Sequence, residues 1–248
     1  MRLTENRQRT IRSFVMRIGR MTESQARAIT DLWPVFGVDH GKSPLDFTRL
    51  FGRPAPVVVE IGFGNGESLA QQAADEQEVN FLGIEVHPPG VGHLLITIRQ
   101  LELKNIRISR DDAVEVLRDQ VADNSLAGVN LFFPDPWPKK RHHKRRIVQA
   151  NFVSMVAAKL QPGAFFHLAT DWQSYAEHML ETLDRCPDLL NEAGVGCFSE
   201  RLDSRTLTKF EARGQRLGHD VWDLRYRKSE PGPAINGKAS GKTGMSSR

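Results

Sequence analysis

The chain has 248 residues, 40% hydrophobic and 26% charged, the balance of a globular protein with enough length to bury a core without staples. Only two cysteines occur, Cys186 and Cys197, with no CxxC pair, and no apolar run approaches the ~18 residues that cross a bilayer. A zinc ribbon, a disulfide framework and a membrane span are thereby excluded, and a reduced, cytoplasmic protein with no metal and no membrane partner is expected. The formal net charge of +4 is segregated: residues 1–20 carry +5, residues 139–146 carry +6 and residues 229–248 carry +2, which leaves −9 for the rest. Such a distribution presents positive charge to a polyanion such as nucleic acid.

Taken in chain order, residues 1–20 read as a basic arm. From there to about residue 228 apolar runs alternate with stretches of helical period, the pattern of βαβ units in one domain. Val57 to Ile61 reads as a buried parallel strand and Glu67 to Ala74 as a helix behind a glycine turn. Phe81 to Val86 is the second strand, followed by a helical stripe of Leu94, Leu95, Ile98, Leu101 and Leu103. Ile106 to Ile108 is the third strand, and Ala113, Val116 and Leu117 mark the next helix. Val129 to Phe133 is the fourth strand, Ile147 to Leu160 a helix, Ala164 to Ala169 the fifth strand, and Tyr175, Met179, Leu180 and Leu183 a further helix. Gly196 to Arg227 reads as strand, loop and strand forming an antiparallel edge. Residues 229–248, with two prolines, four glycines, four serines and no aromatic, read as a disordered tail. The fold class that follows is α/β: an open, doubly wound, mostly parallel sheet with helices on both faces and an antiparallel edge.

Ligands of such sheets bind just beyond the carboxyl ends of the strands, and four of those positions are acidic: Glu60, Glu85, Asp112 and Asp135. The first strand runs into Gly62, Gly64 and Gly66. A dinucleotide fingerprint would place its third glycine at 67, where Glu stands at the helix start that a pyrophosphate would occupy. S-adenosyl-L-methionine carries a positive sulfonium and no phosphate, and suits an acid-lined turn. Glu85 can accept both hydroxyls of a ribose. Asp112 can meet an adenine amino group, cap the following helix, or do both.

The most specific stretch is Phe132-Phe133-Pro134-Asp135-Pro136-Trp137-Pro138 followed by the run from Lys139 to Arg146. It combines an acid held between two prolines with a tryptophan and a cluster of cations, the parts that chemistry on a nucleic-acid base needs. Trp137 is open to two readings, a ring that stacks on a base or one that covers the core. His167, on a strand, reads as a satisfied core residue, and His87 as a residue that shapes the turn after the second strand. A nicotinamide-dependent oxidoreductase, a non-catalytic RNA-binding protein, and a methyltransferase acting on an mRNA cap or ribosomal RNA are the alternatives that this reading leaves.

The stretches Arg9 to Val15, VVVEIGFGNGESL, FLGIEVHPPGVG, DDAVEVL, LFFPDPWPKKRHHKRRIV, HLATDW and TKFEARGQRLGH with VWDL after it resemble, in this order, the bacterial tRNA (guanine-N7)-methyltransferases. Together they span roughly residues 9–227. The resemblance implies a Rossmann-like, S-adenosylmethionine-dependent enzyme that methylates N7 of a guanine in the variable loop of tRNA. It implies that Glu60, Glu85, Asp112 and Asp135 contact the cofactor beside Gly62, Gly64 and Gly66, and that Asp135 is the catalytic residue. It further implies that Lys139, Asp171, Thr208, Lys209, Phe210 and Glu211 hold the substrate and that Arg141, Lys144, Arg145 and Arg146 contact RNA. A monomer or homodimer is expected. The arm around Arg9 and Arg12 either makes a second phosphate contact or closes over the cofactor.

Overall fold

The computed structural model describes residues 13–14, 19–202 and 220–230. The expectations placed on Arg9, Arg12, Thr208, Lys209, Phe210, Glu211 and most of the C-terminal tail lie outside these residues. Eight strands form one sheet: β1 (Gly37–Val38), β2 (Val57–Ile61), β3 (Asn80–Ile84), β4 (Ile106–Ser109), β5 (Leu126–Phe132), β6 (Leu160–Thr170), β7 (Leu189–Asn191) and β8 (Trp222–Lys228). Their order is β1-β4-β3-β2-β5-β6-β8-β7, parallel from β1 through β6, with β8 antiparallel to both β6 and β7. This is the doubly wound, mostly parallel α/β sheet with an antiparallel edge that the sequence pattern predicts.

The helices follow from the same alternation: α1 (Glu23–Phe36), α2 (Phe47–Phe51), α3 (Glu67–Asp75), α4 (Pro88–Gln100), α5 (Ala113–Gln120), α6 (Ala150–Lys159) and α7 (Gln173–Asp184). Val57, Val59 and Ile61 point into one apolar cluster with Val116, Leu117, Phe152, Val156, Tyr175 and Met179 of α5, α6 and α7. Val58 points into the other, with Leu69, Ala73, Leu94 and Ile98 of α3 and α4 and with Ala28 of α1. Every residue of β2 and β3 is buried, because a central parallel strand covered by helices on both faces has no solvent side.

Several boundaries differ from the expectation. α6 starts at Ala150, not Ile147, because the Val148 N–H is taken by the Tyr175 hydroxyl at 3.3 Å instead of a helical carbonyl. Leu101 lies beyond the end of α4 and is 50% exposed, whereas Leu103 is buried as the stripe requires. The outermost strand is β7, which precedes the segment from Gly196 where the edge was expected. Helix α1 was absent from the expected elements although its start is written in Thr22-Glu23-Ser24-Gln25. There Thr22 Oγ1 accepts from the Gln25 N–H at 3.2 Å and the Thr22 N–H donates to Gln25 Oε1 at 2.9 Å, a reciprocal capping box. His167 is a core residue as read, buried and 2.9 Å from the Asp223 carboxylate, which ties β6 to β8.

The switch point lies between β2 and β5, since the chain runs outward to β3 and β4 on one side before it returns to β5 and β6 on the other. Within the second half, Gly128 on β5 shows how tightly neighbouring strands fit: a Cβ there would lie 2.3 Å from Cζ of Phe165 on β6. Gly128→Ala is therefore expected to lower unfolding stability by about 1–3 kcal/mol. Chemical denaturation of the two proteins checks this, and an unchanged midpoint would contradict it.

Candidate active site

The carboxyl ends of β2, β3 and β5 and the turn after β4 converge on one cleft of about 350 Å³, walled by Phe14, Glu85, Asp112, Leu131, Phe133 and Asp135 among others. A cleft of that size suits a nucleoside-sized group. Its floor is the turn after β2, where Gly62, Gly64 and Gly66 all have left-handed backbones, with φ of 73°, 59° and 76°. Only glycine adopts these angles without strain. Gly66 then hands the chain to α3, packed so closely on α4 that a Cβ would lie 2.8 Å from the Leu94 side chain.

Glu85, just past β3, holds this turn. One carboxylate oxygen accepts from the Gly64 N–H at 2.9 Å and the other from the His87 N–H at 2.9 Å. The residue expected to receive a ribose thus begins as a brace between two loops, and each of its oxygens keeps acceptor capacity for a ligand. Gly90 completes the joint. A Cβ at position 90 would stand 2.0 Å from the Gly64 carbonyl oxygen, so the first turn of α4 meets the glycine turn backbone to backbone. No role was expected for Gly90, although Pro88-Pro89-Gly90 at a helix start is a visible signal.

Glu60 differs from the expectation in position. It is 3% exposed and lies behind the glycine turn, on the face of β2 opposite Ile61, so it does not wall the cleft that Ile61 and Gly62 help to form. Burial raises its carboxyl pKa to about 8, and Oε2 has no hydrogen-bond partner among the described residues. Asp112 serves one of its two expected roles outright: Oδ1 caps α5 by accepting from the Val114 N–H at 2.9 Å. It also walls the cleft, so the second role is geometrically compatible.

Asp135 is exposed at the cleft wall on the loop that leaves β5. This loop is strained at both ends: Phe133 and Trp137 have φ of 50° and 46°, a region that costs a bulky residue about 1–3 kcal/mol. Fixed contacts maintain it. The Phe133 N–H donates to the Ala169 carbonyl on β6 at 2.7 Å, and the Trp137 indole N–H donates to the Ser13 carbonyl at 2.9 Å. The Arg145 guanidinium lies 4.4 Å above the Trp137 ring and His142 meets the ring edge-on at 5.8 Å. Trp137 is thus half-buried between Arg145 and residue 13, which joins the Asp135 loop to the N-terminal segment, and Ser13 and Phe14 wall the cleft.

The basic run forms a short 3₁₀ turn, Lys140–Arg145, opened by Lys139. Lys139, Arg141 and Lys144 are exposed and Arg145 is half-buried on Trp137. Arg146 departs from the expectation of an RNA contact: it is 3% exposed, with its guanidinium spent on protein carbonyls and on the Tyr175 ring. Spacing alone groups it with its neighbours, but the chain turns inward at this residue to start the approach to α6. Asp171 follows β6 directly, beside the Phe133–Ala169 contact, and so close to the Asp135 loop. Next to it Trp172 is 41% exposed with its indole N–H bonded to Ser174 Oγ at 3.0 Å, an exposed aromatic face for which no role was expected. Among the described residues no cluster of His, Cys, Asp or Glu could hold a metal, and no helix is long and apolar enough to cross a membrane.

Comparison with known proteins agrees with this geometry. A family model described as "Putative methyltransferase" matches residues 54–224. A tRNA (guanine-N(7)-)-methyltransferase of Alkalilimnicola ehrlichii is 59% identical over 224 residues, covering 90% of this chain and 94% of its own. One of Yersinia enterocolitica is 56% identical over 222 residues, covering 90% and 93%. Among solved structures the 16S rRNA methyltransferase KamB superimposes with a TM-score of 0.55 at 16% identity, covering 77% of this chain and 96% of that one. An antibiotic-related methyltransferase does so with a TM-score of 0.51 at 18% identity, covering 78% and 96%. At these identities the structures speak for the fold alone, whereas the sequence matches run through the glycine turn, the Asp135 loop and the start of β8: this chain belongs to the tRNA (guanine-N(7)-)-methyltransferase family.

Proposed function

We propose that the protein transfers a methyl group from S-adenosyl-L-methionine to N7 of a guanine in the variable loop of tRNA, in the cytoplasm. The observation that carries this reading is the placement of Asp135. It stands on the wall of a nucleoside-sized cleft floored by a phosphate-averse, acid-lined glycine turn, four residues before an exposed basic turn. The residues fit the cofactor. The left-handed Gly62 and Gly64 leave open space where a Cβ would stand, and Glu67 opens α3. Gly62, Gly64, Gly66, Glu85 and Asp112 would hold it, and when bound it supplies a methyl group on a positively charged sulfonium.

The protein's own part is placement and charge. Guanine N7 already carries an in-plane lone pair, so no general base is required to make it nucleophilic. Asp135, fixed by the strained Pro134–Pro138 segment, would accept hydrogen bonds from the guanine edge and stabilise the positive charge that develops on the purine. Phe14, Phe133 and Leu131 give the cleft apolar walls that keep water from the reacting atoms. In A-form RNA the N7 edge faces a deep, narrow groove, which favours an unpaired guanine as acceptor. Lys139, Arg141, Lys144 and Arg145 would take phosphates, with Asp171 and the segment from Thr208 to Glu211 holding the substrate.

Transfer of labelled methyl to unmodified tRNA, compared with a transcript whose variable-loop guanine is replaced by adenine, tests the whole reading. Label is expected on the first transcript and not on the second, and equal label on both would refute the site. Asp135→Ala is expected to slow single-turnover transfer about 10²–10³-fold while S-adenosylmethionine still binds, and an unchanged rate would remove Asp135 from its role.

Glu60 gives a pH signature. Burial raises its carboxyl pKa to about 8, well above that of a carboxyl in the unfolded chain, so the folded state binds the extra proton and stability is expected to fall as pH rises from about 5 to 8 and to level above it. Chemical denaturation across this range reads the slope, and Glu60→Gln is expected to flatten it; an unchanged slope in that variant would contradict the assignment. Joint neutralisation of Arg141, Lys144 and Arg145 to glutamine is expected to raise the KM for tRNA and reduce the salt slope of binding by about 0.7–0.9 per lost phosphate contact. A fall in kcat with KM and slope intact would contradict that role.

A further inference from the structure

Arg146 ends a run of cations, but its surroundings are those of a structural strut. The side chain is 3% exposed and its guanidinium faces three directions at once. Nε donates to the Pro136 carbonyl at 2.9 Å, on the residue that follows Asp135. Nη1 donates to the Ser174 carbonyl at 3.3 Å and Nη2 to Ser174 Oγ at 3.4 Å, in the first turn of α7, three residues after Asp171. Nη2 also lies 3.3 Å from His143 Nε2, and Cζ sits 4.7 Å from the centroid of the fully buried Tyr175 ring. A planar fork with five donors spans two backbones in this way, and a lysine ammonium on its flexible stem does not.

The two loops so joined are those that carry Asp135 and Asp171. Their strands are neighbours, and the register ends at Phe132 with Ala169, so beyond the Phe133–Ala169 hydrogen bond the sheet no longer sets the distance between the loops. Arg146 bridges them where the ladder stops. The strain at Phe133 and Trp137 makes such a bridge necessary, because a loop with left-handed residues at both ends relaxes unless its middle is held. Accordingly, we propose that Arg146 is a positioning residue of the methyl-transfer site, fixing Asp135 against the Asp171 turn, and takes no tRNA phosphate. This rests on the assignment of Asp135 to the reaction.

Arg146→Lys separates the two roles. A phosphate contact tolerates lysine, so an RNA-binding Arg146 would leave turnover and affinity nearly intact. A positioning Arg146 predicts a kcat about 10²-fold lower, with the KM for tRNA and the salt slope of tRNA binding those of the wild type. It also predicts that the loss largely disappears when Arg146→Lys is combined with Asp135→Ala, because both then act through the same group. A wild-type rate in Arg146→Lys, a loss confined to KM with a slope reduced by about one, or full additivity with Asp135→Ala would each overturn the proposal. Ser174→Ala removes one acceptor on an exposed residue without altering charge and is expected to lower kcat in the same direction at unchanged tRNA affinity. No change in that variant counts against the strut even where Arg146→Lys fails to fold. Wild-type enzyme inactive on tRNA would instead refute the functional assignment itself.

Discussion

The Glu85 carboxylate, received by the Gly64 and His87 backbone N–H groups, is the contact on which the cleft depends. It joins the loops that leave β2 and β3, next to the switch point, beyond the last paired residues Ile61 and Ile84, where the sheet ladder no longer fixes one loop relative to the next. A charged acceptor shared by two backbone donors supplies that link, and such bonds are among the stronger ones available, about 1.5–3 kcal/mol each. The approach of Gly90 to the Gly64 carbonyl is possible only without a Cβ, so the brace and the glycines act together. The left-handed turn, the start of α3 and the start of α4 form one rigid floor.

On this floor four acids of similar strength are separated by environment. Glu60, buried behind the glycine turn, is held largely protonated. Glu85 is a brace and Asp112 a helix cap. Asp135 alone is exposed, on a loop whose strained ends are held by the Phe133–Ala169 and Trp137–Ser13 hydrogen bonds, a state suited to a carboxylate that meets a ligand without reorganising.

A similar division runs through the basic segment. Arg141 and Lys144 remain in solvent, Arg145 lies on Trp137 while keeping part of its surface exposed, and Arg146 is wholly internal. Exposed cations and buried structural contacts thus come from consecutive residues of one turn. Trp137 adds to the second kind, since its indole N–H holds Ser13 at the cleft wall.

The period of the apolar residues by itself determined the α/β class, the strands from β2 to β6 and the acids at their ends, because burial on both faces of a parallel sheet writes continuous apolar runs into the chain. The spacing of Gly62, Gly64 and Gly66 before Glu67 spoke against a dinucleotide and suited S-adenosylmethionine, since glycine and charge at a helix start act locally, while the resemblance of the motifs named the cofactor. Helix α1 was written in a capping box but is followed only by the two-residue β1, and β7, with three residues, is likewise too short to carry a period. Only the tertiary structure decided which acid braces, which caps and which faces the cleft, and that Arg146 differs from Arg145. Those distinctions depend on burial and on partners 28 residues away, as between Arg146 and Ser174, and local sequence carries no record of what a distant loop brings to the other end of a side chain.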